Sequence, residues 1–288
     1  MTKKVAVIGY PVKHSLSPFL HGYWLKKYNI DGEYGLLEVK PEDLKGTLAR
    51  LESDGYVGCN LTIPHKEEAY RILGNNTGIT AHSVGAVNTI YMQYGELWGS
   101  NSDVYGFVQN ILNSHSDFDF TKGKAVVLGA GGAARAVVCG LIGEKVPEII
   151  IVNRTVEKAE KVKEDLLKIS DHVDGWEDNS DIKVVHWDER NEIVKDANIL
   201  VNTTSLGMKG QPELDISLEN IPKNALVNDI VYNPLETKLL KNAMEHGNFV
   251  VDGLGMLLYQ AVAGFEMWFG IKPEVTEDLR EHVLSQMK

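Results

Sequence analysis

The chain has 288 residues, enough for one large domain or two ordinary ones, with 43% hydrophobic and 24% charged residues, as in an ordinary globular protein. A formal net charge of −11 argues against a general binder of nucleic acid or anionic membrane, since those surfaces need clustered Lys and Arg; small anions bound by local charge stay possible. Two distant cysteines, Cys59 and Cys139, an N-terminal apolar stretch too short for a signal peptide, and no apolar run of ~18 residues for a membrane span point to a reduced, cytoplasmic setting.

Val5–Ile8 reads as a buried strand, broken by Gly9-Tyr10-Pro11. His14-Ser15-Leu16-Ser17-Pro18 follows, then Phe19, Leu20, Tyr23, Trp24 and Tyr28 at helical spacing. Ser17 before Pro18 is a strong helix start, so capping accounts for it, whereas Ser15 has no such account. Two hydroxyls two residues apart at a helix N-terminus also form a neutral cradle for a carboxylate. Tyr34–Val39 and Tyr56–Leu61 are further strands, with a helix over Glu42–Ser53 between them. This alternation makes the N-terminal part α/β.

The third strand runs into Asn60-Leu61-Thr62-Ile63-Pro64-His65-Lys66, where a proline starts a helix and a lysine occupies its first turn. The helix dipole disfavours a cation there, and a lysine so placed can serve as proton donor or acceptor. An exposed lysine paired with Glu67 or Glu68 meets the same pattern. Gly85–Thr89 leads into a hairpin, Thr89–Met92 and Glu96–Gly99, around Tyr94-Gly95. Asn101-Ser102-Asp103 then precedes a helix with Val104, Phe107, Val108 and Ile111 on one face, and each of the three is a competent N-cap. Ser114–Lys122 is polar and reads as a domain junction.

Lys124–Arg135, KAVVLGAGGAAR, is an apolar strand, a glycine turn and a helix of small residues. Its spacing, Gly129-Ala130-Gly131-Gly132-Ala133-Ala134, is the alanine-ended form of the dinucleotide fingerprint, although a plain tight turn also fits it. In the fingerprint reading, the glycines let the backbone approach a pyrophosphate at the helix N-terminus. Glu148–Val152 supplies a second strand and completes a βαβ unit of ~30 residues. At its end, where an NAD site carries an acid, stand Asn153-Arg154-Thr155, with Lys158 four residues after Arg154. A carboxylate there repels a 2′-phosphate and an arginine favours it, so NADP is expected over NAD. Asn153 or Thr155 can cap the following helix at the same time.

That helix carries Ala159, Val162, Leu166 and Ile169 on one side. His172–Asp181 is acidic, contains Trp176 and reads as an exposed insertion. Lys183–His186, Ile199–Thr203 and Ala225–Asp229 supply further strands of the same sheet. Asn202-Thr203-Thr204-Ser205-Leu206-Gly207-Met208 is a strand running into a hydroxyl-rich glycine turn, at the carboxyl ends of the strands where dinucleotides sit. Asp229-Ile230-Val231-Tyr232-Asn233-Pro234 is another such strand end. Thr237–Glu245 is helical, Phe249–Asp252 a short strand and Gly253–Met256 a turn. Leu257–Phe269 follows as an apolar helix with Gln260 near its start. No clustered His, Cys or carboxylate motif suggests a metal.

Taken together and in this order, HSLSP, NLTIPHK, GAVNT, NSD, GAGGAAR, NRT, NTTSLGM, DIVYNP and GLGMLLYQA resemble the shikimate dehydrogenase family, the NADP-dependent shikimate 5-dehydrogenases. The resemblance runs from about Gly9 to Ala261. It implies an N-terminal α/β substrate-binding domain plus a Rossmann NADP-binding domain, with the active site in the cleft between them. Residues 1–104 and 238–288 would form the first domain and 105–237 the second. The implied reaction is the reversible NADPH-dependent reduction of 3-dehydroshikimate to shikimate, on the route to chorismate and aromatic amino acids.

Matched by motif, Lys66 is the implied acid/base, paired with Asp103. Ser15 and Ser17 would hold the substrate carboxylate, and Thr62, Asn88 and Gln260 its hydroxyls, with Asp103 also on that side. Gly129, Ala130, Gly131, Gly132, Ala133, Ala134, Asn153, Arg154, Thr155 and Lys158 would take the cofactor, together with Thr203, Met208 and Gly253. Met208 and Tyr232 would lie near the nicotinamide or the substrate, Tyr232 on the substrate side. His65 lies where the family varies and receives no role, and the acidic 172–181 stretch is longer than the family leads one to expect. Partners other than the substrate pair shikimate/3-dehydroshikimate are not expected beyond a second copy, the chain being a monomer or homodimer. A quinate/shikimate dehydrogenase of broader substrate and cofactor use, and a non-catalytic NADP-binding regulator, are the alternatives. Retention of both Lys66 and Asp103 counts against the regulator.

Overall fold

The computed structural model describes residues 2–170 and 180–287. Residues 172–179 of the acidic insertion thus lie outside the described residues. The chain divides into two compact units, Met1–Ser102 with Leu258–Lys288, and Asp103–Leu257.

The first unit contains β1 (Lys3–Gly9), α1 (Ser17–Lys27), β2 (Gly32–Glu38), α2 (Leu44–Arg50), β3 (Tyr56–Leu61), α3 (Lys66–Leu73), α4 (Ile79–Val84), β4 (Thr89–Gln93) and β5 (Glu96–Ser100). Its sheet has the order β2-β1-β3-β4-β5. β1 pairs parallel with β2 and β3, whereas β3/β4 and β4/β5 are antiparallel. The tight connection that makes the last pair possible is Tyr94-Gly95, both with positive φ, as expected from the sequence. Leu44, Leu48, Leu51 and Ile90 are among the residues of one buried apolar cluster on this sheet. His21 of α1 stacks on Tyr34 at 4.0 Å between ring centroids and lies 5.9 Å from Phe265. Burial pushes the imidazole of His21 down to about 3, so it stays neutral in this aromatic setting.

The second unit contains α5 (Asp103–Ser114), β6 (Lys124–Leu128), α6 (Gly132–Gly143), β7 (Glu148–Asn153), α7 (Val156–Ser170), β8 (Asp181–His186), α8 (Arg190–Ile193), β9 (Ala197–Asn202), β10 (Leu226–Asp229), α9 (Lys238–His246) and β11 (Phe249–Val251). The division between units falls inside α10 (Leu254–Phe269), and α11 (Glu277–Leu284) belongs to the first unit. The sheet order is β11-β10-β9-β6-β7-β8, with every pairing parallel. This is the Rossmann order, reversing direction between β6 and β9. The strands are near-continuous apolar runs, as a sheet covered on both faces requires, and Ala125 to Leu128 and Ile149 to Val152 are buried.

Three expectations change. Ser114–Lys122 is a connection within the second unit: α5 packs on α6 so closely that a Cβ on Gly140 would sit 3.1 Å from Phe107 and 3.2 Å from Val108. Residues 238–257 also belong to the second unit, because β11 pairs with β10 through Leu226↔Phe249 to Asn228↔Val251. Finally, Gly253–Met256 is not a free turn, since α10 starts at Leu254, whose N–H is capped by Asp252 Oδ1 at 2.9 Å. Gly255 is a close approach within that helix: a Cβ there would overlap the Asn110 amide.

Trp268 Nε1 donates to Ile90 O at 2.8 Å across the backbone of Gly58, where a Cβ would lie 2.2 Å from Trp268 Nε1 and 2.3 Å from Ile90 O. Gly58→Ala should therefore destabilise the protein by about 3 kcal/mol. Urea unfolding checks this, and an unchanged midpoint would show that the indole moves aside at little cost.

Candidate active site

In the first unit, the segment after β3 is pinned residue by residue. Leu61 N donates to Asn88 O (2.8 Å), Thr62 N to Ile8 O (2.9 Å) and Val87 N to Lys66 O (2.9 Å). His65 is fully buried, and its Nε2 donates to Val39 O at 2.8 Å. The histidine left without a role by the sequence thus clamps the start of α3 to the end of β2. Lys66 is the first residue of α3 and half-buried.

The capping expected of Ser17 is not what the structure shows. Leu16 occupies the N-cap position of α1, and Ser17 is the first helical residue, buried and without a capping bond. Ser15 Oγ instead accepts from Ser17 N at 3.3 Å. The helix start therefore does not consume the Ser17 hydroxyl, and capping does not explain that residue.

Asn88 is buried at the head of β4. Its Oδ1 accepts from Ser102 N (2.9 Å) and Thr89 Oγ1 (2.8 Å), and its Nδ2 donates to Ser102 Oγ (3.0 Å) and Gln260 Oε1 (3.4 Å). Asn88 and Gln260, far apart in sequence, are thus brought together. The network extends to Asn60, whose Nδ2 donates to Asn88 O (3.0 Å) and Thr89 Oγ1 (3.2 Å) and whose Oδ1 accepts from Tyr34 OH (2.6 Å). Sequence reasoning passed over Asn60 and Thr89. The available signal was an asparagine interrupting a buried strand, which must find partners.

In the second unit, Asp103 is buried at the start of α5. Gly129 has φ +112°, and a Cβ on it would meet Thr203 Oγ1 at 2.7 Å, so both backbone and space demand glycine. Gly131 is the N-cap of α6 and Gly132 its first residue, and a Cβ built on either would meet nothing within 4 Å beyond the adjoining backbone. That open space, above N–H groups with no partner inside the helix, fits a pyrophosphate. Ala134 is fully buried, where the helix packs on the sheet. At the end of β7, Asn153 Nδ2 donates to Thr155 O at 2.8 Å, while Arg154 and Lys158 are exposed. The asparagine stabilises the turn and leaves the basic side chains to solvent or to a phosphate.

Thr203 Oγ1 donates to Leu128 O at 2.6 Å, tying the turn after β9 to β6. Met208 is 39% exposed and Tyr232 half-buried, on the turns after β9 and β10. Gly253 is a close approach: a Cβ would sit 2.2 Å from Ile230 O. Arg135, just past the fingerprint, is taken up by Asp165 at 2.7 Å, which bridges α6 and α7. Among the described residues, no group of three or more His, Cys, Asp or Glu could hold a metal ion. No helix among them is long and apolar enough to cross a membrane.

Known proteins resemble this chain along nearly its whole length. Residues 7–90 match the family "Shikimate dehydrogenase substrate binding domain", residues 111–207 match "Shikimate / quinate 5-dehydrogenase", and residues 253–284 match "Shikimate 5'-dehydrogenase C-terminal domain". A Brucella abortus (strain S19) protein named shikimate dehydrogenase (NADP(+)) is 45% identical over 288 residues, covering 99% of this chain and 95% of the relative. The crystal structure of Thermus thermophilus shikimate 5-dehydrogenase, in complex with NADP(H) and shikimate, is similar with TM-score 0.83 and 31% identity over 99% of each chain. Quinate dehydrogenase from Corynebacterium glutamicum, in complex with NAD, gives TM-score 0.89 at 26% identity over 99% of each chain. With these matches spanning both units, the chain belongs to the shikimate dehydrogenase family.

Proposed function

We propose that the protein is a cytoplasmic shikimate dehydrogenase, monomeric or homodimeric, that reduces 3-dehydroshikimate to shikimate reversibly with NADPH. The observation that carries this reading is the full-length identity to a relative named for that activity and cofactor. The arrangement of side chains supports it.

Bound NADPH supplies the hydride. The remaining roles fall to the protein. As hydride reaches the ketone carbon, negative charge grows on the oxygen, and Lys66 Nζ neutralises it and donates the proton. In the oxidative direction the same amine takes the proton back. Asp103 is the carboxylate that acts with it. Ser15 and Ser17 donate hydroxyl hydrogen bonds to the substrate carboxylate, and Thr62, Asn88, Tyr232 and Gln260 hold its hydroxyls. Asn88 is suited to this because its amide orientation is set by the Ser102 and Thr89 contacts before any ligand arrives.

On the cofactor side, the residues present fit a phosphorylated dinucleotide. The turn Gly129–Ala134 offers backbone N–H groups to the pyrophosphate, Arg154 and Lys158 meet the 2′-phosphate, and Asn153 and Thr155 shape that turn. Thr203, Met208 and Gly253 line the remainder. The exposed arginine at the end of β7, with no acid beside it, favours NADP over the NAD of the quinate dehydrogenase to which the chain is also similar.

Following absorbance of the reduced nicotinamide with shikimate or quinate, each against NADP and NAD, tests the reading directly. The shikimate–NADP pair should give the highest kcat/KM, and a preference for quinate with NAD would overturn it. Lys66→Ala should lower kcat by about 10²- to 10⁴-fold while leaving the KM for shikimate within a few-fold. Unchanged turnover would remove Lys66 from the proton transfer. Arg154→Ala should raise the KM for NADPH by about 10- to 150-fold and barely affect that for NADH. Equal effects on the two cofactors would refute recognition of the 2′-phosphate.

A further inference from the structure

Asp229 closes β10, is completely buried, and has no part in the chemistry above. Its Oδ1 accepts from Asn202 Nδ2 (2.9 Å) and Val231 N (3.0 Å), and its Oδ2 accepts from Thr237 Oγ1 (2.7 Å). Asn202 closes β9 and is equally buried. Its Oδ1 accepts from Thr204 N (3.1 Å) and Thr204 Oγ1 (2.7 Å), and its Nδ2 also donates to Leu206 O (3.1 Å). The two side chains thus organise the turns that follow their own strands and join them to each other. A direct backbone link, Lys209 N to Asn233 O at 2.8 Å, runs between the same turns. Gly253 packs on the Ile230 carbonyl, as its lack of room for a Cβ shows, so the second turn has a wall behind it.

These turns carry Met208 and Tyr232. We infer that Asp229 is a positioning residue: through the Asn202–Asp229–Thr237 junction it holds the Met208 and Tyr232 turns in register and so sets where the nicotinamide end of the cofactor meets the substrate. This rests on the activity proposed above and adds to it a residue that touches neither ligand. The adenosine 2′-phosphate is met at the end of β7, a different element from the β9 and β10 turns.

The junction requires geometry rather than charge. An asparagine at 229 can keep Oδ1 on Asn202 and Val231 and turn Nδ2 toward Thr237 Oγ1, whereas alanine takes the acceptor from Val231 N–H, the Thr237 hydroxyl and one of the two Asn202 amide hydrogens in a buried space. The test uses the full-length enzyme with Asp229→Ala, Asp229→Asn and Thr237→Val. It measures kcat with shikimate and NADP beside the dissociation constant of adenosine 2′,5′-bisphosphate, a probe with no nicotinamide. Asp229→Ala should lower kcat by about 10- to 100-fold, because misplacing reacting groups by an ångström is that costly. It should leave bisphosphate affinity within about twofold of the parent, and Asp229→Asn should recover most of the lost turnover. Should Asp229→Ala fail to fold, Thr237→Val, which removes the donor to Asp229 Oδ2 and with it the α9 cap on Leu240 N, decides: lower kcat with unchanged bisphosphate affinity supports the inference. Full turnover in the folded variants, loss of bisphosphate affinity in step with kcat, or an asparagine variant as impaired as alanine would overturn it. A parent enzyme inactive on shikimate would instead overturn the activity itself, and this inference with it.

Discussion

A polar side chain at the end of a buried strand costs free energy unless every donor and acceptor on it is matched, and the turns at the strand ends of this protein grow from that requirement. Asn60 near the end of β3, Asn202 at the end of β9 and Asp229 at the end of β10 are at most 5% exposed. Each meets its need by gripping the backbone or side chains of a turn beside it. Asn60 reaches the Asn88 carbonyl, Asn202 folds Thr204 and Leu206 around itself, and Asp229 gathers Val231 and Thr237. A requirement imposed by burial thus becomes rigidity at the edge of the sheet, where ligands of α/β proteins bind.

The two units meet the requirement with different chemistry. In the first, Tyr34, Asn60, Asn88, Thr89, Ser102 and Gln260 join amides to hydroxyls. Amides and hydroxyls suit a polyhydroxylated ligand, since they both donate and accept. In the second, the buried anchor is a carboxylate. Burial drives the Asp229 carboxyl up to about 6, opposed by the Thr237, Val231 and Asn202 donors. A group held so close to its titration range can remain without a cation because its partners already fill its oxygens.

Much of the architecture was legible because burial leaves a direct trace in composition. Val5–Ile8, Ala125–Leu128 and Glu148–Val152 are runs that only a sheet covered on both faces would carry, and each falls within an observed strand. The glycine turn was legible for a related reason: few residues besides glycine tolerate the φ of Gly129. The capping reading of Ser17 does not hold, since a serine before a proline looks the same whether it caps the helix or begins it. Gly255 was read as a turn for a similar reason: glycine marks either a backbone bend or a close contact, and only the position of Asn110 tells them apart.

The order of residues along the chain therefore determined the alternation of strands and helices, the dinucleotide turn, the basic end of β7 and the family to which the chain belongs. These depend on neighbours within a few positions, or on motifs read whole. The three-dimensional arrangement alone decided that β11 and the rest of 238–257 join the second unit, that His65 holds the start of α3, and that Asn88 meets Gln260 while Asn202 meets Asp229. Each of those outcomes depends on which buried donor finds which distant acceptor, and a hydrogen bond between residues far apart in the chain leaves no periodic signature in it.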